Sequence, residues 1–328
     1  MLRLFGKSTI AQVIVLLAAM ALMWARPLAN ALPMAPAAGY APLYNLIYAP
    51  GLHPIVAVIT AMLLILIGGF ALNLMLVRTS LTPQNNLMPC LLYCLFMSAT
   101  ATTLSPMLLA NLITLVIMHL LLLRSTLLSI PHDKIFGTAA LISIASMLYL
   151  PMLTLLIAYL LVAVNYRLYS WRDWIVLLLG LLAPYLLLWA YHFIVGDLQE
   201  CYTLTAEGLS DLGVRTGRMP LLPMIATVLL IAVLTVSLFN FWHHLGEKTV
   251  AWQKNAVTVV MPFVAGLAVL FYSHLFPVNL QFFAAPFALS GTLLFAAPSR
   301  HYGRQRRPWH TWGLEILLVL MLIAAIIC

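Results

Sequence analysis

The sequence predicts an all-α, polytopic transmembrane helix bundle of about eleven spans (a range of about ten to twelve), with its N-terminus in the cytoplasm. Three observations lead there. Of 328 residues, 64% are hydrophobic and only 7% charged, whereas a soluble domain carries about 25% charged residues. No soluble chain of this length has enough interior to hide so much apolar side chain. Apolar runs near the length of a spanning helix, about 20 residues, recur along the chain. The basic residues fall between these runs on alternate sides.

The runs cover residues 9–27, 54–77, 86–103, 106–124, 134–149, 151–168, 173–194, 220–242, 254–273, 278–297 and 311–327. The run at 134–149 is short, so 134–149 and 151–168 can form a tight hairpin that does not fully cross. With the N-terminus inside, only Arg26, Arg215 and Arg218 of the sixteen Lys and Arg lie outside. Thirteen then face the cytoplasm, as the positive-inside bias requires. One missed or added span would scramble that asymmetry. The whole chain, 1–328, reads as a single transmembrane domain. Its outer connections are 28–53 and 196–219, and its inner basic loop is 299–310.

Arg3 and Lys7 precede the first run, and Ala29-Asn30-Ala31 resembles a cleavage site for a secretory leader. The many spans that follow favour an uncleaved first helix. Segment 28–53 reads as interfacial, anchored by Tyr40, Tyr44 and Tyr48. Leu104-Ser105-Pro106 and Tyr149-Leu150-Pro151 each set a proline where a helix begins, a position at which its missing N–H costs nothing. Segments 83–124 and 131–168 share an order of inner Pro, helix, outer Pro-Met, helix and inner Arg. A repeat of the kind found in transporters would look like this, as would two ordinary hairpins.

The formal charge is +8. The basic residues are dispersed between apolar runs rather than gathered on one patch, which points away from nucleic acid. The denser group Arg300, Arg304, Arg306 and Arg307 suits anionic headgroups. Membrane lipids and other envelope proteins are the expected partners. The four cysteines form no framework, and Cys90 and Cys94 read as small packing residues on one helix. No P-loop, dinucleotide fingerprint or nucleophile elbow occurs in the sequence, so no cofactor is expected. The nine histidines include no i, i+4 pair on one helix, so no metal centre is expected either.

Polar side chains within lipid are costly and therefore informative. On this topology His53, Asn111, Tyr149, His192, His274 and Asn279 gather near the outer helix ends, with Ser98 and Gln281. They can line an outward cavity, or they can be the polar ends and interhelical bonds of any bundle. Asp197 and Glu200, three apart in the outer loop, suit a divalent cation or a base, and equally a solvated loop. No helix centre carries an Asp, Glu, Lys or Arg, which argues against ion-coupled pumping. No catalytic residue can be named from the sequence.

Phe5-Gly6-Lys7, the stretch Pro89 to Tyr93, Ser105 through Asn111 and Ala285-Pro286 resemble a family of uncharacterised integral membrane proteins of Bacteroidota. The likeness covers nearly the whole chain, but it carries over no activity and no site residue. Some members are labelled carotene-cleaving oxygenases, a chemistry that needs several histidines converging on one iron. In architecture the chain is similar to type-C glycosyltransferases, which use polyprenyl-linked sugars at the outer face and keep an acidic residue in the first outer loop. Segment 28–53 has no Asp or Glu. Three functions follow as expectations: a non-enzymatic component of an envelope assembly, an enzyme or carrier for a lipid-linked precursor at the outer leaflet, and a transporter of a neutral solute.

Overall fold

Proline, glycine and short polar residues punctuate the apolar runs, and a computed structural model shows where each break falls. It describes residues 9–35, 41–48, 51–82, 86–124, 131–166, 170–196, 199, 221–272, 278–295 and 308–327. The described residues are helical, without strands. In order the helices are α1 Thr9–Ala29, α2 Pro42–Ile47, α3 Pro54–Arg78, α4 Met88–Thr100 and α5 Pro106–Arg124. They continue with α6 His132–Leu148, α7 Leu155–Asn165, α8 Trp171–Val195 and α9 Leu221–Leu245. The last four are α10 Val250–Val260, α11 Pro262–Tyr272, α12 Ala284–Phe295 and α13 Pro308–Ile327. Tight 3-10 turns cover Leu150–Thr154 and Val278–Phe283.

Among the described residues, five helical stretches are long and apolar enough to cross a membrane: Ile10–Ala29, Pro54–Arg78, Trp171–Val195, Val228–Leu245 and Val250–Leu270. Met88–Thr100, Pro106–Leu122, Leu150–Asn165 and Asn279–Phe295 are shorter apolar stretches. The 13 residues of α4 reach only about 20 Å at 1.5 Å each, against a hydrocarbon layer of about 30 Å. All of them are buried. The α12 helix has 12 residues and packs on α4. Each of this central pair is continued at one end by other backbone, the irregular Ala101–Ser105 after α4 and the 3-10 turn 278–283 before α12. Such backbone is tolerated at membrane depth only when protein surrounds it.

Small residues let the helices approach the centre. A Cβ on Gly69 of α3 would sit 2.8 Å from Cys94 Sγ and 3.0 Å from Cys90 Sγ. One on Gly291 of α12 would sit 2.9 Å from a Leu92 methyl of α4. Phe96 and Phe287 then stack at 5.2 Å between the same two helices. Without a hydrophobic force between helices in lipid, this close packing supplies the attraction. It also explains Cys90 and Cys94, which are fully buried against α3 as packing residues.

Polar bonds fix the first helix onto α4. Trp24 Nε1 donates to Ser98 Oγ at 2.9 Å, and Gln12 Oε1 accepts from the Leu87 backbone N–H at 2.9 Å. Trp24→Phe is expected to cost about 0.5–1.5 kcal/mol for the lost bond. It should lower the melting temperature in detergent where Trp189→Phe, at an exposed position, does not; equal melting of the two variants would refute it.

In the connection between α1 and α3, Tyr44, one of the three tyrosines read as interfacial anchors, turns inward. Tyr44 is fully buried, because its hydroxyl finds the Ala35 carbonyl at 2.5 Å. Burial, with Tyr48 second, pushes its phenol up to about 12, so it stays a neutral donor at ordinary pH. The Ala35 N–H in turn donates to the Leu104 carbonyl at 3.0 Å, and Thr103 Oγ1 bonds the carbonyls of Leu32 and Pro33 at 3.3 and 3.2 Å. The connection is thus strapped across the α4–α5 turn.

The two similar hairpins also part company. Pro106 opens α5 directly, with Ser105 Oγ accepting from Leu108 N at 3.3 Å. Pro151 instead opens a 3-10 turn, and α7 begins only at Leu155. That leaves α7 with 11 residues against 19 in α5, so the matched motifs do not yield matched halves. Within the run 254–273, Met261 separates α10 from α11, where Pro262 supplies no N–H, but Met261 keeps helical backbone angles and Val250–Leu270 remains one long helical stretch.

Candidate functional site

The ends of the central pair, irregular after α4 and 3-10 before α12, bring neutral polar groups together. Asn111, in the second turn of α5, is 3% exposed. Its Nδ2 donates to the Gln281 carbonyl at 3.2 Å and lies 3.2 Å from Met97 Sδ. Gln281 Nε2 reaches the Thr100 carbonyl at the end of α4, at 3.4 Å. That carbonyl has lost its intrahelical donor because the helix stops there. Tyr149, just past α6, donates its hydroxyl to Asn279 Oδ1 at 2.5 Å. Asn279 and Gln281 are both fully or almost fully buried.

The belt therefore ties α4, α5, α6 and the 278–283 turn to one another. Its amides mostly serve backbone groups that the broken helices leave open, which is the cost-saving use of polar residues in lipid. One acceptor stands out. Gln281 Oε1 is buried without a hydrogen-bond partner, which costs about 1–3 kcal/mol unless an outside donor reaches it.

The remaining sequence candidates are distributed differently. His53 is exposed and caps α3, its Nδ1 accepting from Ile55 N at 3.3 Å. His192 is half-buried in the last turn of α8, edge-on to the Tyr191 ring at 5.6 Å. Neither bonds to the belt among the described residues. Asp197, Glu200 and His274 lie outside the described residues. Of the eight candidates, the structure brings together Asn111, Tyr149 and Asn279, around Gln281.

Sequence reasoning missed a second polar contact, at the opposite end of the bundle. His132, opening α6, lies 3.0 Å from Asp173 in the first turn of α8. Asp173 is nearly buried. The available signal was Ser170-x-x-Asp173, the spacing of a helix N-terminus, which marks where α8 starts but not what Asp173 meets. The same two helices meet again where Ser146 and the Tyr185 hydroxyl lie 2.6 Å apart. Among the described residues no three His, Cys, Asp or Glu side chains are grouped to hold a metal ion. The chain matches no protein-family model, no curated protein and no solved structure.

Proposed function

We propose that the chain is a multi-pass protein of a bacterial inner membrane, a non-enzymatic component of an envelope assembly. About eleven crossings with a cytoplasmic N-terminus accord with the apolar runs and with the basic residues, thirteen of which then face inward. The observation that carries the functional reading is the belt. Asn111 and Tyr149, which would otherwise be the reactive or ligand-holding groups, are engaged in holding helix ends together. Meanwhile α8 turns Trp171, Trp174, Trp189 and Tyr191 outward, aromatic groups suited to the interface or to a neighbouring subunit. Purification from native membranes in mild detergent, after chemical crosslinking, should return the chain together with other membrane proteins. Recovery always at its own mass alone would sink this reading.

A second reading is favoured by one specific feature. The unpartnered Gln281 Oε1 lies where two interrupted helices meet, the kind of place where membrane carriers bind substrate. A neutral solute, or the sugar of a lipid-linked precursor, has hydroxyl donors for such an acceptor. The likeness to type-C glycosyltransferases belongs here, against the lack of an acidic residue in 28–53. Uptake into vesicles that disappears with Gln281→Leu, with the fold intact, would favour this reading over the first.

A further inference from the structure

The helices α6 and α8 run side by side in one direction, joined near their starts by His132 and Asp173 and further along by Ser146 and Tyr185. Up to that second contact one face of α8 is covered. Asp173, Leu177 and Gly180 are buried, and Phe136 and Ala139 of α6 stand against Gly180. The helical repeat continues the same face through Pro184 to Leu187, Tyr191 and Val195. There the cover stops. α6 ends at Leu148 while α8 runs on to Val195, and Leu187, Tyr191 and Val195 are 73%, 54% and 52% exposed. Tyr185 is the last residue of α8 hydrogen-bonded to another helix among the described residues. Over its whole apolar stretch α8 is only 6% buried, against 28% or more in each of the other four long stretches.

Pro184, inside α8, marks the boundary. It has no N–H to give the Gly180 carbonyl, and its ring crowds that carbonyl, so the helix finds relief by opening on this side. Gly180 turns the same side to α6. The opening therefore directs the end of α8 away from the end of α6, in accord with the exposure of Leu187 and Tyr191. A helix with one rung missing bends there more readily than where its ladder is complete. Beyond Pro184 the helix continues unbroken to Val195, so that part moves as one piece.

We propose that residues 186–195 form a rigid arm hinged at Pro184, which swings between this open position and one closed over the end of α6. Closing buries Leu187 and Tyr191 against the turn that follows Leu148, where Tyr149 enters the belt. The part of α8 before the hinge stays fixed on α6 through Asp173 and Gly180. The arm is about 15 Å long at 1.5 Å per residue, so a bend of about 20°, the scale of a proline kink, moves its tip about 5 Å.

Pulsed electron spin distance measurements on the full chain, in vesicles of phosphatidylethanolamine and phosphatidylglycerol, test this. Cys201 and Cys328 become serine, Cys90 and Cys94 stay buried, and labelled protein is diluted with unlabelled protein. One spin label replaces Leu63 of α3 and the other Leu178 or Phe193 of α8, all exposed positions. The Leu63–Phe193 distribution should be broader than the Leu63–Leu178 distribution by about 5 Å. Pro184→Ala returns an N–H to the Gly180 carbonyl and should bring the two widths together, with the Leu63–Leu178 distance unchanged as the sign of an intact fold. Pro184→Leu should act alike. Equal widths in the wild type, which need no variant, would overturn the proposal. A broad Phe193 distribution that neither substitution narrows would overturn it as well, by showing a frayed helix end in place of a hinge.

Discussion

Replacing Gly180 with valine should separate α8 from α6 and leave little folded protein. Even a Cβ alone would sit 2.6 Å from the Phe136 carbonyl oxygen and 2.9 Å from Ala139 Cβ. A side-chain neighbour can rotate away, but a helix carbonyl is held by its own ladder, so the two axes must move apart. Overpacking of this kind costs about 1–3 kcal/mol or more. The separation also stretches the His132–Asp173 and Ser146–Tyr185 contacts above and below it. With Cys201 and Cys328 replaced by serine, thermal unfolding in detergent can be followed through Cys90 and Cys94, which are fully buried and react with a thiol dye only once the centre opens. Gly180→Val should react at a clearly lower temperature than wild type. Ala139→Gly in the same chain should restore only part of the loss, because it removes the methyl contact and leaves the carbonyl. Gly51→Ala, where nothing lies within 4 Å, should have no effect. If Gly180→Val melts with the wild type, α6 and α8 do not pack as described.

The helices were legible because their signals are local. Hydropathy located every long helix, and Ser105-Pro106 placed the start of α5 to the residue. The breaks were harder to read. Nothing in the apolar stretch around Pro262 distinguishes a kinked span from two helices, since that depends on whether neighbours satisfy the Thr258 carbonyl. Tyr44 looked like an interfacial anchor because tyrosine at a membrane edge has both a wet and a buried use. Only the partner, the Ala35 carbonyl, decides between them. Asn111, Tyr149 and Asn279 could be gathered at one end from span direction alone. What they do there depends on contacts between residues more than a hundred positions apart, such as Asn111 with Gln281, and no local pattern encodes those. The Gln12 and Trp24 bonds to the start and end of α4 are of the same kind.

Asn111 separates the two functional readings most sharply. Asn111→Leu keeps the volume but removes the donor to the Gln281 carbonyl, leaving that buried oxygen short of a partner at a cost of about 1–3 kcal/mol. Asn111→Asp is more telling. As a carboxylate it would point acceptor oxygens at the Gln281 carbonyl and the Met97 sulfur, with no room in lipid for an unpaired charge. Protonated, it has one O–H with which to donate to the same carbonyl. The folded state therefore favours the protonated form. The stability this bond supplies is present while the side chain is protonated and is lost once rising pH ionises it. The melting temperature of Asn111→Asp should fall as pH rises, while Asn111→Leu and wild type show no such fall. A flat profile for the Asp variant would mean that Asn111 does not sit against the Gln281 carbonyl. The phenotype then discriminates. A component that works by holding helices and partners together loses function only in proportion to folded protein, so Asn111→Leu rescued by mild conditions should work. If Asn111→Leu folds fully and is still inactive, the amide acts on something other than the 278–283 turn, and the belt is a site for a ligand.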